Sequence, residues 1–315
     1  MPEQVVTTAA RAARSPGRRF WSHPVTRIAA YFGLSGLFLL GLGGAVWGGL
    51  SAARVHLWPD DESTIALSYA VAAAAVVLAY VLMVRRVDGR SLASSGLALK
   101  GMLTETGAGL LMGGGLFCAV IGVMEVCGSY RVGGVNRHFE PLAPLGLFLA
   151  LGIFQEVPMR GYLLQTIEKR WGTAAAVGVT SALFGLLHLG APVDGLTTAQ
   201  WLIGPVLIMF ETGLLFAGGY LLTRRLWLPI GLHWGWNFFE SSVFGLPNTG
   251  SWGNAPNTLF QDHTSGPFLL TGGAFGPEAS LPCLVVGTSA GVLLLWLAWR
   301  RGQWQTRTSK VGGIR

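Results

Sequence analysis

Charge is scarce in this 315-residue chain: 12% of the residues are Asp, Glu, Lys or Arg, about half the share a soluble domain carries. A surface solvated in the usual way is thereby excluded for most of its length. The three cysteines, Cys118, Cys127 and Cys283, form no CxxC pair and no metal-ligand spacing, so neither a disulfide framework nor a zinc ribbon is encoded. A structural role suits them, and nothing supports a Cys127–Cys283 disulfide. The 46 glycines have no three-residue period and 51% of the residues are hydrophobic, which excludes a collagen-like or disordered chain. There is no internal repeat, no separate soluble domain, no Ser–His–Asp arrangement and no cysteine beside either of the histidines that matter below.

What is present is a series of apolar segments, at residues 28–50, 64–84, 105–125, 144–167, 172–190, 200–222, 226–245 and 281–299. Each approaches the roughly 20 residues a spanning helix needs. The first is too long for the core of a signal peptide and lacks a clear cleavage site. Abundant glycine suits closely packed membrane helices, and the 12 tryptophans suit interface anchors. The expected fold is therefore all-α: a polytopic membrane protein of about eight transmembrane helices.

The net charge of +7 would suggest nucleic acid on a soluble protein, but its distribution points to membrane topology. With the amino terminus inside, 18 of the 22 Lys and Arg fall in the inner segments 1–27, 85–104, 168–171, 224–225 and 300–315. Arg54, Arg131 and Arg137 fall outside, and Arg160 lies within a helix. This positive-inside bias predicts that both termini are cytoplasmic. Short loops and a basic tail suit a multi-pass protein of the plasma membrane, a bacterial inner membrane by this reading, with lipid and not nucleic acid as its surroundings. The organisation reads as a basic tail at 1–27, amino-terminal spans at 28–143, a core at 144–245, and an outer loop, last span and basic tail at 246–315. The loop 246–280, which contains LTGGAFGPEASL, has no helical pattern and reads as flexible or as a lid.

Three polar pairs interrupt three of the spans. FQEVPMRG at 154–161 holds Glu156 and Arg160, four apart and on one helical face. Ionisable residues at that depth are costly and point to function, although an internal salt bridge would explain this pair alone. SALFGLLHLG places Phe184 and His188 four apart, and PIGLHWGWNFFE does the same for His233 and Asn237. Either could be only hydrogen bonding within the bundle. Counting from the inner ends of the helices, Glu156 lies roughly 18 Å up, His188 roughly 24 Å, His233 roughly 12 Å and Asn237 roughly 18 Å. Tilted helices bring such levels together. One carboxylate, two imidazoles and a carboxamide around one cavity suit activation of a water. Glu156, His188 and His233 can hold Zn²⁺; alternatively Glu156 acts directly as the base while a histidine stabilises an oxyanion. Asn237 can donate to that oxyanion or ligate the metal, and Arg160 orients Glu156. Hydrolysis of a peptide bond in or near the membrane fits these parts. A transporter does not, because no paired, broken segments recur in two matching halves.

QEVPMR at 155–160, FGLLH at 184–188 and HWGWN at 233–237, in this order and each on a predicted span, resemble the motifs EExxxR, FxxxH and HxxxN or HxxxD of the CPBP intramembrane protease family. That family includes CAAX prenyl endopeptidases and the bacterial Abi-type proteins. The resemblance covers roughly 144–245. It implies a multi-pass endopeptidase of metallo- or glutamate type acting on a peptide or membrane-protein substrate, with Glu156, Arg160, His188, His233 and Asn237 in the site. One departure matters: the first Glu of the family pair, the one assigned to water activation, is Gln155 here. A carboxamide cannot be a base. Either Glu156 takes over the role or the chain is a catalytically inactive scaffold or immunity protein on the same fold. Pro158 is a second departure and predicts a kink at the site.

Overall fold

Pro24 stands in the first turn of helix α1 (Pro24–Ala52), where a missing backbone N–H goes unnoticed. From there the computed structural model, which describes residues 21, 23–55, 62–190, 193–249 and 257–306, is built almost wholly of helices. Helix α2 (Glu62–Val87) ends in a π-helical turn at Met83–Val87, and α3 covers Met102–Val126. Helix α4 (Leu142–Trp171) is π-helical over Val157–Leu164. It is followed by α5 (Thr173–Leu186), α6 (Thr198–Phe210), α7 (Thr212–Thr223) and α8 (Trp227–Asn237), the last running on as a π-helical turn at Phe238–Val243. A single turn, α9 (Phe268–Thr271), and the long α10 (Leu281–Arg300) complete the chain.

The all-α polytopic architecture agrees with the sequence. Among the described residues, six helices are long and apolar enough to cross a membrane, namely α1 to α4, the α6–α7 pair taken together, and α10. The remaining two expected spans are helical but shorter. Residues 172–190 were expected as one helix; α5 stops at Leu186, ahead of Gly190 and Pro192, which cannot sustain it. The segment 200–222 is not one helix either. Glu211, with ψ −81°, leaves the helical basin and divides α6 from α7.

The core lies where α3 crosses α8 and where α7 meets α10. The α3–α8 crossing is backbone against backbone. A Cβ added at Gly113 would stand 2.2 Å from the Leu232 carbonyl oxygen, one at Gly231 2.2 Å from that of Thr106, and one at Gly235 2.1 Å from that of Leu110. Only glycine permits this approach. Around this core, Leu37, Leu40, Leu103, Leu111 and Val126 remain exposed, as suits helices facing lipid.

The outer connections form a small cap. Strand β1 (Tyr130–Val135) pairs antiparallel with β2 (Phe260–Thr264), Tyr130 opposite Thr264 and Val135 opposite Phe260. The loop expected to be flexible or a lid is ordered against the bundle over its described part. Phe275 is buried on Gly204, where a Cβ would come within 2.6 Å of its ring, and Ser280 accepts from the Cys283 N–H to cap α10. Residues 250–256 of that loop lie outside the described ones. Cys118, Cys127 and Cys283 are all unpaired.

At the other end, described parts of all five basic segments meet. Arg27 pairs with Asp88, Arg225 with Glu105 and Arg224 with Glu168. The gathering of these segments at one end is what the charge distribution anticipates.

Candidate active site

Glu156 is the last residue of the regular α-helical part of α4, and the π-helical turn begins immediately after it. Pro158 lies in the first positions of that turn and has no N–H to give to an i−4 carbonyl, and the helix is widened here. Widening brings Arg160 inward. Its guanidinium is fully buried. One amino group donates to Glu156 Oε1 at 2.9 Å and the other to the Gly213 carbonyl at 3.1 Å. It lies over the rings of Phe184 (4.6 Å) and Phe216 (5.4 Å), so its charge meets a carboxylate, a carbonyl and two π faces. The carbonyl it uses stands two residues past the break at Glu211, which ties α4 to the start of α7.

The same carboxylate oxygen receives α8. His233 Nδ1 lies 2.9 Å from Glu156 Oε1. The imidazole stacks on Phe216, with centroids 4.6 Å apart and planes at 10°, and meets the edge of Phe184 at 6.0 Å. Gly152 makes room for it, since a Cβ there would stand 3.2 Å from the Ile230 carbonyl oxygen and 3.7 Å from His233 Cβ.

His188 falls just past the end of α5, not on it. Its Nδ1 lies 2.7 Å from the Phe184 carbonyl oxygen, and its ring is 4.9 Å from that of Phe184. Both imidazoles therefore lie against one phenyl ring. A carbonyl only accepts, so His188 Nδ1 carries the proton; a carboxylate likewise takes the proton of His233 Nδ1. Each histidine is left with Nε2 as a lone pair. Asn237 is one turn beyond His233 and nearly buried, and its carboxamide bonds to no described residue. The half-buried Gln155 also has no hydrogen-bond partner among the described residues.

The structure thus joins Glu156, Arg160 and His233 directly, sets His188 beside them through Phe184, and places Asn237 on the His233 helix. Nδ1–H bonds that leave Nε2 free are how metal-bound histidines are oriented. Yet among the described residues no three His, Cys, Asp or Glu side chains are grouped so as to hold a metal ion. Glu156 Oε1 is already taken twice, by Arg160 and His233, which leaves Oε2 and the two imidazoles.

Three further carboxyl groups escaped the sequence reading. Glu211 at the α6–α7 break, Glu240 on the π-helical turn after α8, and Glu278 ahead of α10 are buried together beside Cys283. Asn248 donates to Glu240 at 2.6 Å, whereas both oxygens of Glu211 have no hydrogen-bond partner. Glu211 and Glu240 stand inside apolar runs, and the reasoning applied to Glu156 would have found them. Glu278 comes from a loop with no periodicity to read.

Residues 138–239 match the family model described as Rce1-like, type II CAAX prenyl endopeptidase. No curated protein and no solved structure gives a match. The matched region contains all of α4, α5, α6, α7 and α8, and with them the three motifs and every residue of the Glu156 cluster. Over residues 138–239 the chain is similar to the Rce1-like type II CAAX prenyl endopeptidase family.

Proposed function

We propose that the protein is an intramembrane endopeptidase in which Glu156 and His233 act as a dyad. The family match supports an intramembrane protease role in general, and the apolar helices support a multi-pass membrane protein. The single observation that carries the finer reading is the 2.9 Å contact between Glu156 Oε1 and His233 Nδ1. It departs from direct use of Glu156 as the base, because Oε1 is already engaged by both Arg160 and His233.

In this mechanism a water on His233 Nε2 loses a proton to it as its oxygen attacks the carbonyl carbon of the scissile bond. Glu156 holds the Nδ1–H and stabilises the imidazolium that forms, as an acidic partner does in hydrolase triads. His188 Nε2 accepts the second hydrogen of the same water and fixes its direction. The Asn237 carboxamide donates to the oxyanion. As the C–N bond breaks, His233 returns the proton to the leaving amine, giving one amine and one carboxylic acid, which releases its proton to solvent. Gln155 has N–H donors and no basicity, so it takes no proton. Substrates are peptides or membrane proteins reaching the site from the bilayer of a cell membrane.

The test is turnover of quenched fluorescent peptides by purified protein in lipid nanodiscs, with both new termini identified by mass spectrometry. His233→Ala should lower kcat/KM by about 10²–10⁴-fold. Turnover unchanged in both His233→Ala and Glu156→Gln would overturn the dyad.

One observation favours a second reading. Gln155 stands where the family motif has its water-activating Glu, which suits a binding protein that retains the fold without the chemistry. An inert wild type that gains activity as Gln155→Glu establishes that reading instead.

A further inference from the structure

A cavity of about 280 Å³ opens at the basic end of the bundle, on the far side of α4 from the Glu156 cluster. Arg90, Gln165, Glu168, Lys169, Arg224 and Gln303 line it. We propose that this cavity binds a phosphate anion, whether carried by a phospholipid headgroup or free in solution.

The charges inside it do not balance. Glu168 is fully engaged: Arg224 holds both of its oxygens, at 2.6 and 3.1 Å, and Thr173 donates to it at 2.5 Å. That pair neutralises itself. The guanidinium of Arg90 has only neutral acceptors, the Gln165 side-chain oxygen at 2.8 Å and the Ser94 carbonyl at 2.5 Å. Lys169 makes no ion pair with any described residue, and it lies within electrostatic reach of Arg90 and Arg27. Asp88, two residues before Arg90, is spent on Arg27. Two cations thus face one cavity without a counterion, an arrangement that like-charge repulsion opposes unless an anion joins them.

The walls are built and not merely a solvated patch. Beyond α10 the chain turns back across the start of α5. Thr173 N–H donates to the Gln305 carbonyl at 2.9 Å, and Gln305 N–H donates to Thr173 Oγ1 at 2.8 Å. Arg224 donates to the Gln303 backbone carbonyl and, at 3.2 Å, to its side-chain oxygen. This tail closes one side of the cavity and leaves amide donors facing it. The cavity also sits at the ends of membrane-length helices, the level at which basic pockets take lipid headgroups.

Native mass spectrometry of the full chain, released from membranes of equal phosphatidylglycerol and phosphatidylcholine, tests the lipid source. Wild type should retain phosphatidylglycerol selectively, and R90Q/K169Q should lose roughly tenfold or more of it. R85Q/R86Q, which removes exposed cations at the end of α2 that do not line the cavity, should bind as wild type does. Line broadening of inorganic phosphate in ³¹P NMR, with protein in zwitterionic micelles, tests the free source. Retention of the lipid without phosphate broadening assigns the headgroup, and broadening without lipid retention assigns free phosphate; either supports the site. Absence of both in wild type, or an equal loss in R85Q/R86Q, overturns it. R90K/K169R, which keeps the charge, should restore binding and separates loss of the anion site from loss of fold.

Discussion

Glu156 and Arg160, one helical turn apart, are joined at 2.9 Å with both side chains fully buried, and the same carboxylate oxygen also meets His233. One atom of one carboxylate thus serves two helices. Its second oxygen has no hydrogen-bond partner among the described residues, so the polar link of α4 to α7 and α8 at this level passes through Oε1 and the guanidinium.

Arg160→Ala should therefore destabilise the fold by about 3–5 kcal/mol, because it strands a buried carboxylate. Arg160→Lys should recover only part of that, since a single ammonium does not reproduce the fork that spans Glu156 and the Gly213 carbonyl. Thermal unfolding in detergent measures both. Equal melting of Arg160→Lys and wild type would show that the fork is not what matters.

Glu156→Gln keeps shape and volume but removes the negative charge that stabilises the His233 imidazolium. Catalytic turnover should fall by about 10²–10⁴-fold while folding is largely retained. Initial rates and size-exclusion profiles of the same preparation separate the two effects.

Glu211→Gln should behave oppositely. Both carboxyl oxygens of Glu211 are buried without partners, and the exchange removes an ionisable group that nothing satisfies. Stability should be unchanged or higher by roughly 1 kcal/mol. A large drop in melting temperature would mean that the carboxyl group holds the α6–α7 break.

Gly235→Ala should destabilise by about 1–3 kcal/mol or more, since the methyl would overlap the Leu110 carbonyl. Gly115→Ala, on α3, the helix that α8 crosses, with nothing within 4 Å, should be neutral or stabilise by about 0.5–1 kcal/mol. Parallel melting curves decide; matching losses at the two positions would remove the argument from close approach.

The long apolar runs and the i, i+4 spacing of Glu156–Arg160 and His233–Asn237 are local patterns, and for that reason legible before any coordinates. His188 shows where this stops. Its spacing from Phe184 is right, but its bond is to the Phe184 carbonyl, and a backbone acceptor leaves no mark in a sequence. The break at Glu211 is equally silent, since the apolar run continues through it. Glu278 and Phe275 reach the core from a loop without period, through contacts made far along the chain. The family motif, read as a set of ligands, suggests one carboxylate between two imidazoles. Arg160 competes for that carboxylate and, with His233, takes it.

The π-helical turn at Val157–Leu164 lies between Glu156 and Glu168 on a single rod, α4. An α-helix advances roughly 100° per residue, so the wide turn rotates all that follows relative to all that precedes it. Glu156 faces the buried histidine and Glu168 faces Arg224 because the two ends of α4 run in different phases. Deleting one residue from that turn would leave the carboxylate at 156 in place and swing the basic cavity out of register by about one residue's rotation. The helix acts as a shaft with an angular offset machined into it, and the relation between the Glu156 cluster and the basic cavity is set as much by that angle as by length.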